Sequence, residues 1–151
     1  MVKVNIINNY HKKFLKNSLI KQIADYTLKT QNKDNVEMSI VLCDNKEMKE
    51  YNSTYRGKDY PTDVLSFVDG ERIGRYIYLG DIIISIDKVI EQSKEFEVEP
   101  EEEFVRLLVH GILHLIGYDH ETSEEDEKIM MEIQDKIIDE VMTLFFQESN
   151  N

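Results

Sequence analysis

Cysteine occurs once in the 151 residues, at Cys43. A single thiol excludes an internal disulfide framework and a Cys-rich zinc finger, and a reducing cytoplasm is the expected compartment. Long apolar runs are also missing. The longest are a few residues, such as Ile82-Ile83-Ile84, far short of the roughly 18 that a membrane helix needs. No membrane association is therefore expected. The stretch Met1 to Ile7 lacks the basic-then-apolar layout of a signal peptide, which argues against secretion. There are only two prolines, Pro61 and Pro100, and each reads as punctuation. No Pro/Gly/Ser linker, internal repeat or low-complexity tract interrupts the chain.

Basic residues are few: 18 against 30 acidic ones, for a formal net charge of −12. A charge of that sign argues against casual binding of nucleic acid, whose backbone it repels, and DNA is not an expected partner. The distribution is uneven. Residues 1–36 hold seven lysines and two acids, whereas residues 91–140 hold four bases and seventeen acids. A polyanion can meet the basic third if it shares a face with the reactive centre; otherwise both thirds are solvated helix surfaces. What is present is enough apolar material, 41% of residues, for a real core. The length fits one domain spanning residues 1–151.

Periodicity outlines the elements. Val2 to Ile6 alternates as a strand does, and so does Val36 to Cys43. The run Lys12 to Lys29 carries Phe14, Leu15, Leu19, Ile23 and Ala24 at helical spacing. Asp44 and Glu47 form a capping pair for a short helix to Thr54. A loop is expected from Arg56 to Asp63, a strand from Val64 to Val68, a turn at Asp69-Gly70, and a second strand from Tyr76 to Ile86 kinked at Gly80-Asp81. Helices follow at Asp87–Phe96, from Pro100 to Gly117, and from Ser123 to Phe146, the last capped by Thr122 and Glu125. The order β, α, β, α, β, β, α, α, α predicts an α+β fold, a small mixed four-stranded sheet packed with about five helices.

Chemistry concentrates in one stretch. Three of the four histidines, His110, His114 and His120, lie within eleven residues. His110 and His114 are four apart, so on a helix they stack on one face and can reach one ion. Gly117 can end that helix in the left-handed conformation, and Tyr118-Asp119 then return the chain so that His120 supplies a third nitrogen. Three imidazoles leave one tetrahedral position open, the pattern of a catalytic Zn2+ site. Nickel, copper or iron also suit such ligands. A lone histidine on an apolar face is usually a satisfied core residue, but three at this spacing point to a metal. His11 has no partner motif and reads as a surface residue. The spacing is that of the metzincin proteases, H-E-x-x-H-x-x-G-x-x-H, with one break. Gly111 stands where their general base, Glu, should be, so the metal-site helix is metzincin-like while the peptidase base is absent.

The run from His110 to His120 also resembles the signature of the YbeY family of bacterial endoribonucleases. Tyr55-Arg56-Gly57-Lys58-Asp59-Tyr60-Pro61-Thr62-Asp63-Val64-Leu65-Ser66-Phe67 resembles that family's second motif, and Leu79-Gly80-Asp81-Ile82 its third. The motifs keep their order from about residue 48 to 130, with Val68 and Gln92-Ser93 as departures. The resemblance implies a metal-dependent, single-strand-specific endoribonuclease. Its implied work is ribosomal RNA processing, notably maturation of the small-subunit RNA 3′ end, and ribosome quality control, with RNA and the ribosome or its proteins as partners. By the same resemblance His110, His114 and His120 are the metal ligands and Arg56 is functionally important.

The residue types allow such chemistry. A bound metal polarises a phosphoryl oxygen and lowers the pKa of its water to about 7, and an arginine holds phosphate through two parallel hydrogen bonds. Arg56 is the candidate clamp; its other reading is a structural salt bridge to Asp59, Asp63 or Asp81. The attacking group is either water or the ribose 2′-OH. Asp119 either orients a histidine ligand, acts as a base, or simply shapes the turn. Thr62, Asp63, Ser66 and Asp81 read as loop and strand organisers, Cys43 as buried, and Met130-Met131 as core. Two competing functions stay beside the nuclease. One is a metal hydrolase of a peptide or amide, which Gly111 argues against. The other is a ribosome-associated binding module with little catalysis, since an acidic protein can dock on basic ribosomal proteins.

Overall fold

The computed structural model describes residues 1–119 and 121–146. Strand β1 (Val2–Asn8) leads to helix α1 (Asn17–Thr30), strand β2 (Val36–Cys43) and helix α2 (Asn45–Arg56). The hairpin β3 (Val64–Ile73) and β4 (Tyr76–Ser85) follows, then helices α3 (Ile86–Phe96), α4 (Pro100–Leu115) and α5 (Glu124–Phe145). The sheet order is β1-β2-β4-β3. The first three strands in that order are parallel and β3 runs antiparallel at one edge. This is the expected α+β class with a mixed four-stranded sheet. Among the described residues no helix is long and apolar enough to cross a membrane.

Alternation along the strands decides which helix covers which face. Met38, Ile40 and Leu42 of β2 and Ile82 and Ile84 of β4 join the large core with α1, α3, α4 and α5. The intervening Val41, Cys43 and Ile83, with Leu65 of β3, point the other way and meet Met48 and Tyr51 of α2. Side chains two apart share a face, so α2 alone sits opposite the other helices. Helix α4 is the centre of the large layer. From Glu103 to Leu115 every residue is buried except Arg106, His110 and His114. These stand four apart, so a helix that is otherwise core all round presents one half-exposed stripe.

Several local expectations are corrected. Helix α1 starts at Asn17, not Lys12, because Lys16 is extended at φ −64°, ψ 138°. Phe14 packs instead from a non-helical segment, with its ring 5.5 Å from that of Phe104. Arg56 is the last residue of α2 rather than a loop residue, and Gly57 caps it at φ 69°. The hairpin turns at Gly74-Arg75, with Gly74 at φ 63°. Asp69-Gly70 is a bulge, across which the register passes from Val68↔Gly80 to Glu71↔Tyr78. Helix α5 is capped by Ser123, whose side chain accepts the Asp126 N–H, rather than by Thr122. Thr122 Oγ1 donates to the Asp126 carboxylate. Helix α4 ends at Leu115, just short of Gly117, which takes φ 109°.

Gly80, the expected kink, is forced by contact. Its φ is 139°, and a Cβ built there would lie 2.0 Å from the Phe67 carbonyl oxygen. Gly80→Ala is expected to cost about 2 kcal/mol or more, measured as a drop in unfolding free energy in urea. Cys43 is fully buried, and burial pushes its thiol up to about 12. At pH 8 the native thiol is expected to resist an alkylating reagent and to react only after denaturation; mass spectrometry of the adduct reads the difference.

Candidate active site

Helix α4 and strand β3 form the walls of a cleft of about 650 Å³, and Gly117, Tyr118, Asp119 and Glu121 contribute to its rim. Its lining brings together Arg56, Asp63, Ser66, His110, His114 and Asp119, which lie up to 63 positions apart in the chain. The close approach of α4 to the sheet depends on Gly111. A Cβ there would lie 3.1 Å from Ile82 Cδ1 and 3.1 Å from Ser66 Oγ. Glycine inside a helix costs about 1 kcal/mol relative to alanine, and this helix accepts that cost to pack against β3 and β4. The missing metzincin Glu thereby has a physical reason: the position after the first histidine faces the sheet, with no room for a carboxylate.

The two described imidazoles stand on the exposed stripe of α4. Their ring centroids are 4.8 Å apart, with planes at 74°. Two imidazoles on one tetrahedral ion, with metal–nitrogen bonds of about 2.0–2.1 Å, have centroids about 5 Å apart, so the pair fits a shared cation. His110 Nδ1 lies 2.8 Å from Gln134 Oε1. An amide oxygen only accepts, so Nδ1 is the donor in this contact. Gln134 is 1% exposed and occupies the apolar stripe of α5 with Met130, Ile137 and Val141. Sequence reasoning missed it, although a lone amide on an otherwise apolar helix stripe was the available signal. The third expected ligand, His120, lies outside the described residues. Among the described residues no three His, Cys, Asp or Glu side chains form a metal-holding group.

The chain leaves α4 by a tight reversal. Gly117 N–H donates to the His114 carbonyl and Tyr118 N–H to that of Leu113. Tyr118 Oη donates to Gln31 Oε1 at 2.7 Å, which ties the turn to the end of α1. Asp119 Oδ1 accepts the Glu121 N–H at 2.8 Å and the Asp119 carbonyl accepts Thr122 Oγ1, so the residue shapes the turn at the rim of the cleft. The N–H bond is the turn-forming use of Asp.

Arg56 reaches the cleft from the opposite side of β3. Its Nη2 donates to the Ser66 carbonyl at 3.1 Å, and its guanidinium lies 5.3 Å from the Phe67 ring centroid. Among the described residues it makes no ion pair. The acids once open to it are engaged elsewhere. Asp59 lies 3.9 Å from Lys49, Asp63 accepts the Val64 N–H, and Asp81 accepts Tyr78 Oη. The polar contact of Ser66 here is its carbonyl, and Thr62 Oγ1 turns to Asp63. Three carboxylates, Asp63, Asp119 and Glu121, share the cleft with this one guanidinium. The walls therefore favour a cation, with a single fork-shaped donor set for an anion.

The chain matches the family model described as Endoribonuclease YbeY over residues 5–142. It is 49% identical over 140 residues to "Endoribonuclease YbeY" of Sulfurihydrogenibium sp. (strain YO3AOP1), covering 92% of each chain. It is 42% identical over 136 residues to the protein of that name from Aquifex aeolicus (strain VF5), covering 90% of this chain and 91% of the relative. Among solved structures it is similar to the solution structure of TM1509 from Thermotoga maritima. The TM-score is 0.68 and the identity 30%, with 99% of this chain and 93% of the other covered.

Because the sheet occupies the space beside Gly111, Gly111→Glu is expected to lower the unfolding free energy by about 3 kcal/mol or more without creating protease turnover. Urea unfolding and a casein assay check the two halves of that expectation.

Proposed function

The chain belongs to the endoribonuclease YbeY family, and from that premise we propose that it is a metal-dependent nuclease that cuts single-stranded RNA in the cleft between α4 and β3. Members of the family are endoribonucleases, and so is this chain. Its finer assignment is ribosomal RNA processing, with small-subunit RNA 3′-end maturation and ribosome quality control as the setting. The ribosome or its proteins are the partners and a reducing cytoplasm is the compartment. The observation that supports the reading is the meeting in one cleft of two imidazoles, His110 and His114 from α4, with Arg56 from α2, which makes no ion pair among the described residues.

The residues divide the work. His110, His114 and His120 hold the ion, zinc by preference for three nitrogen ligands. When bound, such an ion supplies Lewis-acid charge at a phosphoryl oxygen. Gln134 orients His110 by accepting its Nδ1–H. An acceptor behind a ligating imidazole fixes its tautomer and raises its basicity. Arg56 binds the phosphate. One of its five N–H donors is spent on the Ser66 carbonyl, which steers the guanidinium while the remaining donors face an incoming phosphodiester. Asp119 shapes the rim of the cleft by accepting the Glu121 N–H. The reading of a peptide or amide hydrolase is disfavoured by the packing at Gly111, which removes the helix-borne carboxylate that such chemistry uses.

Purified protein is expected to cleave single-stranded RNA and to spare duplex, and a chelator should abolish turnover. His114→Ala and Arg56→Ala should each reduce cleavage at least about 100-fold, in line with the loss of a charge-stabilising group. Full activity in both variants overturns the proposal. Stoichiometric metal in protein purified without an affinity tag, lost in His110→Ala, tests the ion directly. Gln134→Leu is expected to weaken metal affinity about 10–100-fold with the fold intact, read by competition with a chromogenic chelator. Unchanged affinity removes Gln134 from the site.

A further inference from the structure

On the α2 side of β3, next to Arg56, lies a row of aromatic rings, two of which, Tyr51 and Tyr55, line a separate groove along α2. Tyr55 is 63% exposed although it is large and partly apolar. Its ring meets Phe67 edge-on at 5.3 Å and lies nearly parallel to Tyr51, with an interplanar angle of 20° and centroids 6.3 Å apart. Arg56, the next residue along α2, lies over the same Phe67 ring. Phe67 and Tyr51 are partly buried against the small core formed by Met48, Leu65 and Ile83. Tyr55 is thus propped on two fixed rings while much of its surface faces solvent.

Resting on the reading of the cleft as an RNA-cutting site, we propose that Tyr55, supported by Phe67 and Tyr51, is a stacking platform for one unpaired base of the bound strand. Three features select that occupant. First, the platform adjoins Arg56, so a strand whose phosphate meets the guanidinium carries its neighbouring base over β3 to the ring. Second, aromatic faces accept any base without reading its sequence, and each such stack contributes enough to matter for affinity. Third, the cation beside the rings suits a polyanion. Arg56 and Lys58 are both exposed and flank Gly57 immediately after Tyr55, while Asp44, Glu47 and Glu50 line the groove that the ring shares with Tyr51. A paired base has its faces covered by its neighbours, so the platform also gives a physical basis for preferring single strands.

Steady-state cleavage of a short single-stranded RNA by metal-loaded protein tests this. Tyr55→Ala should raise KM about tenfold with kcat changed far less, and Tyr55→Trp should keep KM near the wild-type value. A series of substrates with one abasic nucleotide at successive positions adds the decisive comparison. One position should raise the wild-type KM by a similar factor and have no further effect in Tyr55→Ala. If the wild type cleaves but Tyr55→Ala has an unchanged KM, the platform is overturned and the nuclease reading stands. A raised KM with no abasic position coupled to Tyr55 also overturns it. The same holds if Tyr55→Ala leaves KM unchanged but abolishes self-association in sedimentation, which assigns the rings to a second copy of the chain. If the wild type cuts no RNA, both readings fall together.

Discussion

Everything at the cleft depends on how closely α4 lies on the hairpin. At Gly111 the helix backbone comes so near to Ile82 and Ser66 that a single methyl group would sit 3.1 Å from each. That approach fixes the rotation of α4, because only one face of a helix can touch the sheet at backbone distance. Once the rotation is fixed, residues 106, 110 and 114 point along the free stripe, and the histidines reach the cleft without any adjustment of their own. Gly80 performs the matching service on the sheet: at φ 139° it lets Leu79 bulge between β2 and β3 and keeps the Phe67 carbonyl clear. Two glycines, one in the helix and one in the strand, thus set the distance between the wall that carries imidazoles and the wall that carries Arg56.

The electrostatics follow from that placement. Beside its imidazoles the cleft holds three carboxylates and one guanidinium, a poor host for a phosphodiester and a good one for a divalent cation. Under the proposed reading a bound divalent cation would cancel that net negative charge, so ion and strand would reinforce each other's binding, and such coupling is reciprocal by necessity. The acidity of the chain as a whole then ceases to be an objection to an RNA substrate. The field that matters is the local one at the cleft, inside roughly the 8 Å over which charge is felt at physiological ionic strength.

Much of this arrangement was legible in the sequence. The alternation in Val36–Cys43, the cap at Asp44, Pro100 at the start of α4 and the four-residue spacing of His110 and His114 are local signals, and local signals survive folding. The misses have a common physical cause. Phe14 and Leu15 showed helical spacing because they are partly buried, and packing on a core does not require a helix. Asp69-Gly70 looked like a turn because Gly is equally at home in a bulge, and which of the two forms is decided by pairing with β4. The partner of Arg56 proved to be a backbone carbonyl, which no composition can suggest. Gln134 belongs to a helix that pattern alone would call purely structural, and its meaning appears only when α5 is laid against α4.

The departure from the protease pattern at Gly111 is best seen in these terms. In a helix that offers only one free stripe to its site, every position of that stripe is precious, and the residue after the first histidine does not fall on it. A glutamate at this position would need the helix set off from the sheet. This fold has the helix seated on the sheet instead, which brings β3 and the arginine carried beside it within reach of the imidazoles. Seating α4 exchanges a carboxylate for a guanidinium as the charged group that shares the cleft with the imidazoles. A carboxylate suits the removal of a proton from water during attack on a neutral carbonyl, whereas a guanidinium suits a substrate that arrives already charged. The packing of one glycine against Ser66 and Ile82 therefore bears on which class of bond this cleft is built to break.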